Sequence, residues 1–218
     1  ILVVGHLGPD PDAYSSVLLL GQLITFNFPK KEVVMLLDTK EMLEKLSFLR
    51  GYDKLEQGDL VTIINKYESE LIIFVDGGNY EMFFRDVDVL KKSLFGRKTA
   101  LFDHHQESEK SFDYYLREER FSCTDVIFEQ LVKREGWEAF PGYEEVYLVG
   151  TLSDSNRFYY KMEGYRDTFN NVADVLDKGY SIREITDRIF TYSKEEILVF
   201  NIMNRHITYK DNYVYSYI

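Results

Sequence analysis

Residues 71–78 read LIIFVDGG. Five consecutive apolar residues, among them β-branched Ile72, Ile73 and Val75, describe a strand buried on both faces. The run stops at Asp76, with two glycines behind it. The same arrangement recurs at ILVVG (1–5), followed by HLGPDPD, and at TALF (99–102), followed by DHHQ. EVVMLL (32–37) is a further strand candidate. Between these runs, AYSSVLLLGQLI (13–24) reads as a helix with Pro11 suited to its first turn, and 41–49 also looks helical. Strands alternating with helices predict an α/β fold: a parallel sheet with helices on both faces.

The downstream part is more helical. Residues 122–135 place Val126, Ile127, Leu131 and Val132 on one face of a helix. Residues 144–152 continue in the same style and lead into Ser153 and Asp154. Three more helices are expected at 165–178, 181–190 and 194–207, with Ser181 and Glu184 spaced as a capping box. YVYSYI (213–218) alternates like a strand but has no evident partner strand, and Ile1 already lies inside one. Both ends lead us to expect a fragment of a longer chain.

Composition narrows the function classes. The 218 residues are 45% hydrophobic and 16% aromatic, enough for a sizeable core. No apolar run approaches the ~20 residues that cross a bilayer, so no membrane partner is expected. Residues 1–4 lack a basic leader, and the single cysteine, Cys123, excludes an internal disulfide, so a reducing cytoplasm is expected. Cys123 has apolar neighbours and reads as a packing residue. A net charge of −11 repels duplex DNA, yet it suits a small phosphate ligand if metal ions cancel the charge locally. Most of the 17 tyrosines and 16 phenylalanines, such as Phe26, Phe28 and Phe74, are expected in the core. Phe158, Tyr159 and Tyr160, just after Asp154, are the one aromatic cluster that is a candidate for lying near a substrate.

The chemistry gathers where apolar segments end. His6, Asp10 and Asp12 follow the first strand, Asp76 the third, Asp103, His104 and His105 the fourth, and Asp154 the segment 146–152. The carboxyl ends of strands in an open α/β sheet face one crevice. Singly, each group has an ordinary reading: His6 a loop residue, Asp12 a helix cap, Asp76-Gly77-Gly78 a turn. At four places together they read as a metal site. Carboxylates with a minority of imidazoles suit Mn²⁺ or Mg²⁺, with Fe or Co as alternatives, rather than a thiolate zinc site. So many donors exceed the needs of one ion, and two ions roughly 3.5–4 Å apart, bridged by a carboxylate, would use them.

The motifs GHLGPDPDAYSS (5–16), VDGG (75–78), FDHHQ (102–106) and GTLSDSNRF (150–158) occur in the order seen in the DHH phosphoesterases, which this chain resembles. SCTDVIFEQL (122–131) and SDSNRF (153–158) are similar to the NrnA-type branch of oligoribonucleases and phosphoadenosine-phosphate phosphatases. The resemblance implies a DHH catalytic domain over 1–190, a linker helix over 191–210, and the start of a smaller DHH-associated domain at 211–218. The GGGH-like motif of that second domain does not occur in the sequence.

Carried over by position, the resemblance implies that His6 and Asp10 hold a first metal, that Asp12, His104 and Asp154 hold a second, and that Asp76 bridges them. His105 would face the substrate phosphate or leaving group, and Asp103 would orient the histidines. Arg157 would contact a phosphate. The cofactor implied is a pair of Mn²⁺ ions, with Mg²⁺ as the alternative. The substrate implied is a short oligonucleotide or a 3′,5′-bisphosphonucleotide, and a homodimer is an allowed assembly. Competing readings are a DHH-type inorganic pyrophosphatase and a non-catalytic nucleotide sensor. Asp154-Ser155 stands where relatives usually carry Asp-Thr, which keeps the hydroxyl.

Overall fold

The computed structural model describes residues 1–106, 111–160, 165–210 and 213–216. The strand β1 (Leu2–Gly5) leads into helix α1 (Pro11–Asn27) and strand β2 (Val34–Leu37). Next come β3 (Leu55–Gln57), α2 (Leu60–Tyr67), β4 (Leu71–Val75), α3 (Val87–Ser93), β5 (Lys98–Asp103) and β6 (Tyr114–Arg117). The six strands form one sheet in the order β3-β2-β1-β4-β5-β6, with every neighbouring pair parallel. β1 lies between β2 and β4, so the order of strands reverses there, and the carboxyl ends of β1 and β4 open a crevice.

Period-two alternation sorts the strand residues onto two faces. Val3, Met35, Leu37, Ile73 and Val75 join one core cluster; Leu2, Val4, Leu36, Ile72 and Phe74 join the other. α2 and α3 cover the second face through Leu60, Ile63, Ile64 and Leu90. α1, α4 (Cys123–Ile127) and α5 (Tyr143–Asp154) cover the first. α1 is buried without interruption from Asp12 to Ile24, because it is enclosed by the sheet, α4 and α5. This is why its sequence is apolar all round rather than on one stripe. α6 (Tyr165–Leu176) and α7 (Ile182–Phe190) add Val172, Val175, Ile185 and Ile189 to the same core.

Several sequence expectations need correction. Residues 41–49 form a single 3-10 turn (Glu44–Leu46) rather than a helix. The helix expected at 122–135 is α4 running into a π-helical stretch (Phe128–Arg134), and α4 is buried on all sides. Ser181 caps α7 through the Glu184 amide alone. The complete capping box is at Ser193 and Glu196, opening α8 (Lys194–Arg205). YVYSYI does have a partner: β8 (Tyr213–Tyr215) pairs antiparallel with β7 (Thr208–Lys210), in a two-stranded sheet of its own. Residues 217–218 of that motif lie outside the described residues. Phe74 is in the core, but Phe26 and Phe28 are each 46% exposed, on the last turn of α1 and just past it. Among the described residues, no helix is long and apolar enough to cross a membrane.

Candidate metal centre

Three strand ends and one helix end build the site. His6 follows β1 directly, and its Nδ1 lies 2.9 Å from the Leu7 carbonyl. Asp10 is the N-cap of α1, where one oxygen accepts the amides of Asp12 and Ala13 at 2.9 and 3.0 Å. Asp12, the second residue of α1, caps a different helix. Its carboxylate accepts the N–H of Cys123 at 2.7 Å, the N–H of Thr124 at 3.1 Å and the Thr124 hydroxyl at 2.6 Å, at the start of α4.

Asp76 ends β4 in the left-handed region, with φ +61°, a conformation that costs a non-glycine residue about 1–2 kcal/mol and that Asp tolerates better than most. The amide of Asp76 donates to the Phe102 carbonyl at 3.0 Å, tying β4 to β5 at their carboxyl ends. The turn leaves the side chain only 2% exposed.

The carboxylate of Asp76 stands between two imidazoles. Its Oδ2 is 3.6 Å from His6 Nε2, and its Oδ1 is 3.3 Å from His104 Nε2. His6 Nε2 is also 3.9 Å from Asp10, and His104 Nε2 is 3.2 Å from Asp154. Three groups of donor atoms, each spanning no more than 4.8 Å, therefore share Asp76: one with His6 and Asp10, one with Asp12, His104 and Asp154, and one with His104 and His105. Asp154 comes from the last turn of α5, so one of the four contributing segments is a helix end, not a strand end.

The electrostatics follow from this crowding. Burial, with the negative charges of Asp76 and Asp154 added, pushes Asp12 well above the usual carboxylate range. Burial and Asp76 also raise Asp10. Burial disfavours a charged His6, but the carboxylate of Asp76, 3.6 Å away, outweighs this and raises it to about 9. Against its own burial, His104 is raised by the carboxylates of Asp154 and Asp76, and Asp76 is lowered by the imidazoles of His104 and His6.

A divalent ion fits this donor set. Asp76 Oδ1 and His104 Nε2 are both buried and, although only 3.3 Å apart, neither has an aligned hydrogen-bond partner among the described residues, a state that costs roughly 1–3 kcal/mol per group unless something else satisfies it. Four carboxylates in one crevice also call for positive charge. Edge separations near 3 Å are those of oxygen and nitrogen ligands about 2.1 Å from a single ion.

The supporting contacts divide the two adjacent histidines. His105, partly exposed, is held through Nδ1 by the fully buried Asp103 at 2.7 Å. His104 is oriented instead by the carbonyl of Arg120, 3.3 Å from its Nδ1. The resemblance implies that Asp103 orients both rings; the observed contact is to His105. The Arg120 guanidinium is buried among Glu118, Asp125, Glu129 and Asp167 at 3.0–3.6 Å, which fixes the loop that carries this carbonyl. Arg120 and Thr124 escape a reading of the sequence, because a buried arginine and a helix-start threonine look the same as surface ones.

Arg157 does not join the cluster. It is exposed, bonds Asn156 at 3.0 Å and lies 4.9 Å from the centroid of the Phe190 ring. Phe190 lines a cavity of about 280 Å³ that Asp10 and Asp154 also border. Of the expected aromatic cluster, Phe158 packs on Phe121 and Phe169, while Tyr159 and Tyr160 are exposed. Cys123 is buried, and its thiol donates to the Phe102 carbonyl, a packing role.

Residues 1–151 match the DHH family, N-terminal domain. The chain belongs to the DHH family. Across 215 residues this DHH chain is 23% identical to the bifunctional oligoribonuclease and PAP phosphatase NrnA of Bacillus subtilis (strain 168), covering 97% of this chain and 64% of that protein. Over 164 residues it is 27% identical to a probable manganese-dependent inorganic pyrophosphatase of Bacillus cereus, covering 72% and 48%. Among solved structures, an exopolyphosphatase-related protein from Bacteroides fragilis superimposes with a TM-score of 0.81 at 19% identity, over 96% of this chain and 62% of that one. This likeness concerns the fold. The DHH chain therefore spans about half to two thirds of the length of these relatives.

Proposed function

We propose that the chain is a metal-dependent phosphoesterase that hydrolyses short oligonucleotides or 3′,5′-bisphosphonucleotides. The observation that carries this reading is the sharing of Asp76 by two groups of donors, His6–Asp10 on one side and Asp12–His104–Asp154 on the other. In this reading the two groups hold two divalent ions, Mn²⁺ in preference to Mg²⁺, with Asp76 as the bridge. Bound there, such ions would lower the pKa of water and offset charge on a phosphoryl group. The chain itself supplies the rest. His105, braced by Asp103, is placed to give a proton to the departing oxygen. Arg157 extends the positive potential along the Phe190 side of the crevice.

The names of the relatives support hydrolysis of a phosphate ester or anhydride, and the full donor set speaks against a non-catalytic sensor. Inorganic pyrophosphatase is the second reading, favoured by the similarity to the Bacillus cereus protein. The division into a catalytic domain over 1–190, a linker helix over 191–210 and a further domain from 211 belongs to the same proposal. It is supported by α8, none of whose residues is buried.

The test is a substrate panel with Mn²⁺: a diribonucleotide, a 3′,5′-bisphosphonucleotide, pyrophosphate and bis(p-nitrophenyl) phosphate. Release of mononucleotide by the unaltered chain, abolished in Asp76→Ala, is the expected result. Turnover of pyrophosphate alone establishes the second reading. Unchanged activity in Asp76→Ala overturns both.

A further inference from the structure

A second cavity, of about 730 Å³, opens beside the metal centre on the β2 side. Such a volume lies within the roughly 300–1,000 Å³ of small-ligand sites. Its wall begins at Leu7 and Gly8, one and two residues after His6, and continues through Asp38, which follows β2, to Phe84 and Arg85 in the segment after β4. Leu7 donates its N–H to the Met82 carbonyl at 2.7 Å, so the loop carrying His6 and the segment after Asp76 are fastened together at the edge of this cavity.

The lining mixes cations, carboxylates and apolar surface; of its two carboxylates, Asp59 is engaged as the N-cap of α2, its Oδ1 accepting the N–H and the hydroxyl of Thr62 at 2.8 Å. Lys40 and Arg85 are exposed cations, and neither makes an ion pair among the described residues. Asp38 is a partly buried carboxylate. Its Oδ2 accepts the N–H of Leu60 at 3.1 Å, which fixes the group at the start of α2, and its Oδ1 receives no hydrogen bond among the described residues. Gly8 sits at φ +63°, and a Cβ placed there would meet nothing within 4 Å, so the floor is open to close approach by a ligand. Leu7 and Phe84 supply apolar surface.

A ligand that satisfies all of these carries an anionic group, a pair of hydroxyl donors and a flat apolar body. That is a ribonucleotide. The topology agrees. This sheet has the strand order 3-2-1-4-5-6 of dinucleotide-binding sheets, in which a carboxylate at the end of the second strand accepts a ribose hydroxyl, and Asp38 stands at the corresponding place after β2. We propose that this cavity binds a nucleoside flanking the reacting phosphate, with Asp38 accepting the ribose 2′- and 3′-hydroxyls and Arg85 with Lys40 holding the adjoining phosphate. The assignment deepens the phosphoesterase reading and rests on it for its place in the reaction: the site would select ribose over deoxyribose.

The experiment is a titration of the metal-free chain with AMP, 2′-deoxy-AMP and adenosine, followed by backbone amide NMR. The Leu60 amide reports directly on Asp38. AMP should move the amides of Gly8, Thr39, Leu60 and Arg85. 2′-Deoxy-AMP should bind about tenfold more weakly, the effect of one charge-assisted hydrogen bond. Asp38→Asn, which can still accept from Leu60, should erase that difference, and Arg85→Ala should weaken AMP but not adenosine. The inference is overturned if AMP moves only amides around His6 and Asp76, if it moves none, or if Asp38→Asn keeps the ribose preference. Mn²⁺-dependent hydrolysis of bis(p-nitrophenyl) phosphate, which has no ribose, is measured in parallel. Its absence from the unaltered chain sinks the phosphoesterase reading, while the AMP titration still decides the cavity.

Discussion

The carboxylate of Asp12 accepts the backbone N–H of Cys123 at 2.7 Å, across 111 residues of chain. Together with its two bonds to Thr124, this makes Asp12 the clamp between the start of α1 and the start of α4. The same side chain stands within reach of Asp76, His104 and Asp154. One residue thus links the folding of the helical layer to the assembly of the site.

Asp12→Ala should therefore destabilise the chain even without metal. It orphans two buried amides and a hydroxyl, and relief of repulsion from Asp76 and Asp154 offsets only part of this. A net loss of about 2 kcal/mol is expected, a fall of roughly 4–8 °C in Tm. Thermal unfolding in EDTA measures it. An unchanged midpoint would show that the clamp carries no stability.

Gly150 in α5 exists where it does because of that clamp. A Cβ on it would lie 2.7 Å from Asp12 Oδ1 and closer still to the Thr124 hydroxyl. Gly150→Ala should cost roughly 1–3 kcal/mol by overpacking and weaken Mn²⁺ binding by displacing Asp12. Adding Thr124→Ala removes the hydroxyl, the atom nearest that Cβ, so the double variant should lose less than the sum of the two single losses; strict additivity of the two changes would refute the contact.

How much of this is legible in sequence depends on burial. The central strands β1, β2, β4 and β5 are readable because burial on both faces leaves continuous apolar runs, as in LIIFV (71–75). β3 and β6 are not. They are the two edges of the sheet, three and four residues long, and Leu55-Glu56-Gln57 carries almost no apolar signal. Residues 146–152 are apolar for the opposite reason: α5 is packed between α1, α4 and α7, so its end at Asp154 resembles a strand end. Most of the candidate donors are readable because they sit at the ends of apolar runs, with Asp10 and Asp12 in the loop and first helical turn that follow β1. Their supports are not, since the Arg120 carbonyl and the Cys123 amide are backbone groups that any residue possesses.

In the proposed metal site, protonation would compete with the ion. His6 is raised to about 9, above its unfolded value near 6.5, so its contribution to stability is complete below pH 6.5 and is lost as pH rises through 9. Asp10 and Asp12, raised above the unfolded carboxylate value, also favour the folded state most at low pH. The metal-free chain should lose stability from pH 6.5 to 9. Mn²⁺ affinity should rise over the same range, about tenfold per pH unit for each proton expelled. Calorimetry in buffers of different ionisation enthalpy counts those protons. An affinity that stays level from pH 6.5 to 8.5 would rule out a protonated His6 in the metal-free site.

His105 and His104 should separate cleanly by mutation. His105→Ala should retain Mn²⁺ and lose turnover by about 10²–10⁴-fold, the range for a general acid. Asp103→Asn should reproduce much of that loss, because the 2.7 Å bond fixes which ring nitrogen carries the proton. His104→Ala should instead lose the metal. If His105→Ala abolished Mn²⁺ binding, the division of labour between the adjacent rings would have to be reversed.

Immediately after Asp154 and Ser155 the backbone does something rare. Asn156, Arg157 and Phe158 have φ of +47°, +61° and +63°, three consecutive left-handed residues without a glycine. The turn is held by the Arg157 N–H on the Leu152 carbonyl at 2.9 Å, by the Phe158 N–H on the Ser155 hydroxyl at 2.9 Å, and by Phe158 packed on Phe121 and Phe169. Each left-handed residue costs about 1–2 kcal/mol. Glycine at 157 removes that strain and alanine does not, so Arg157→Gly should be more stable than Arg157→Ala by about 1 kcal/mol, the reverse of the order in a helix. Both variants lose the guanidinium stacked on Phe190. If that group contacts a substrate phosphate, both should raise KM alike, whatever their difference in Tm. A KM that follows stability, or that does not move in either variant, would show that the turn is kept for the position of Asp154 and not for Arg157.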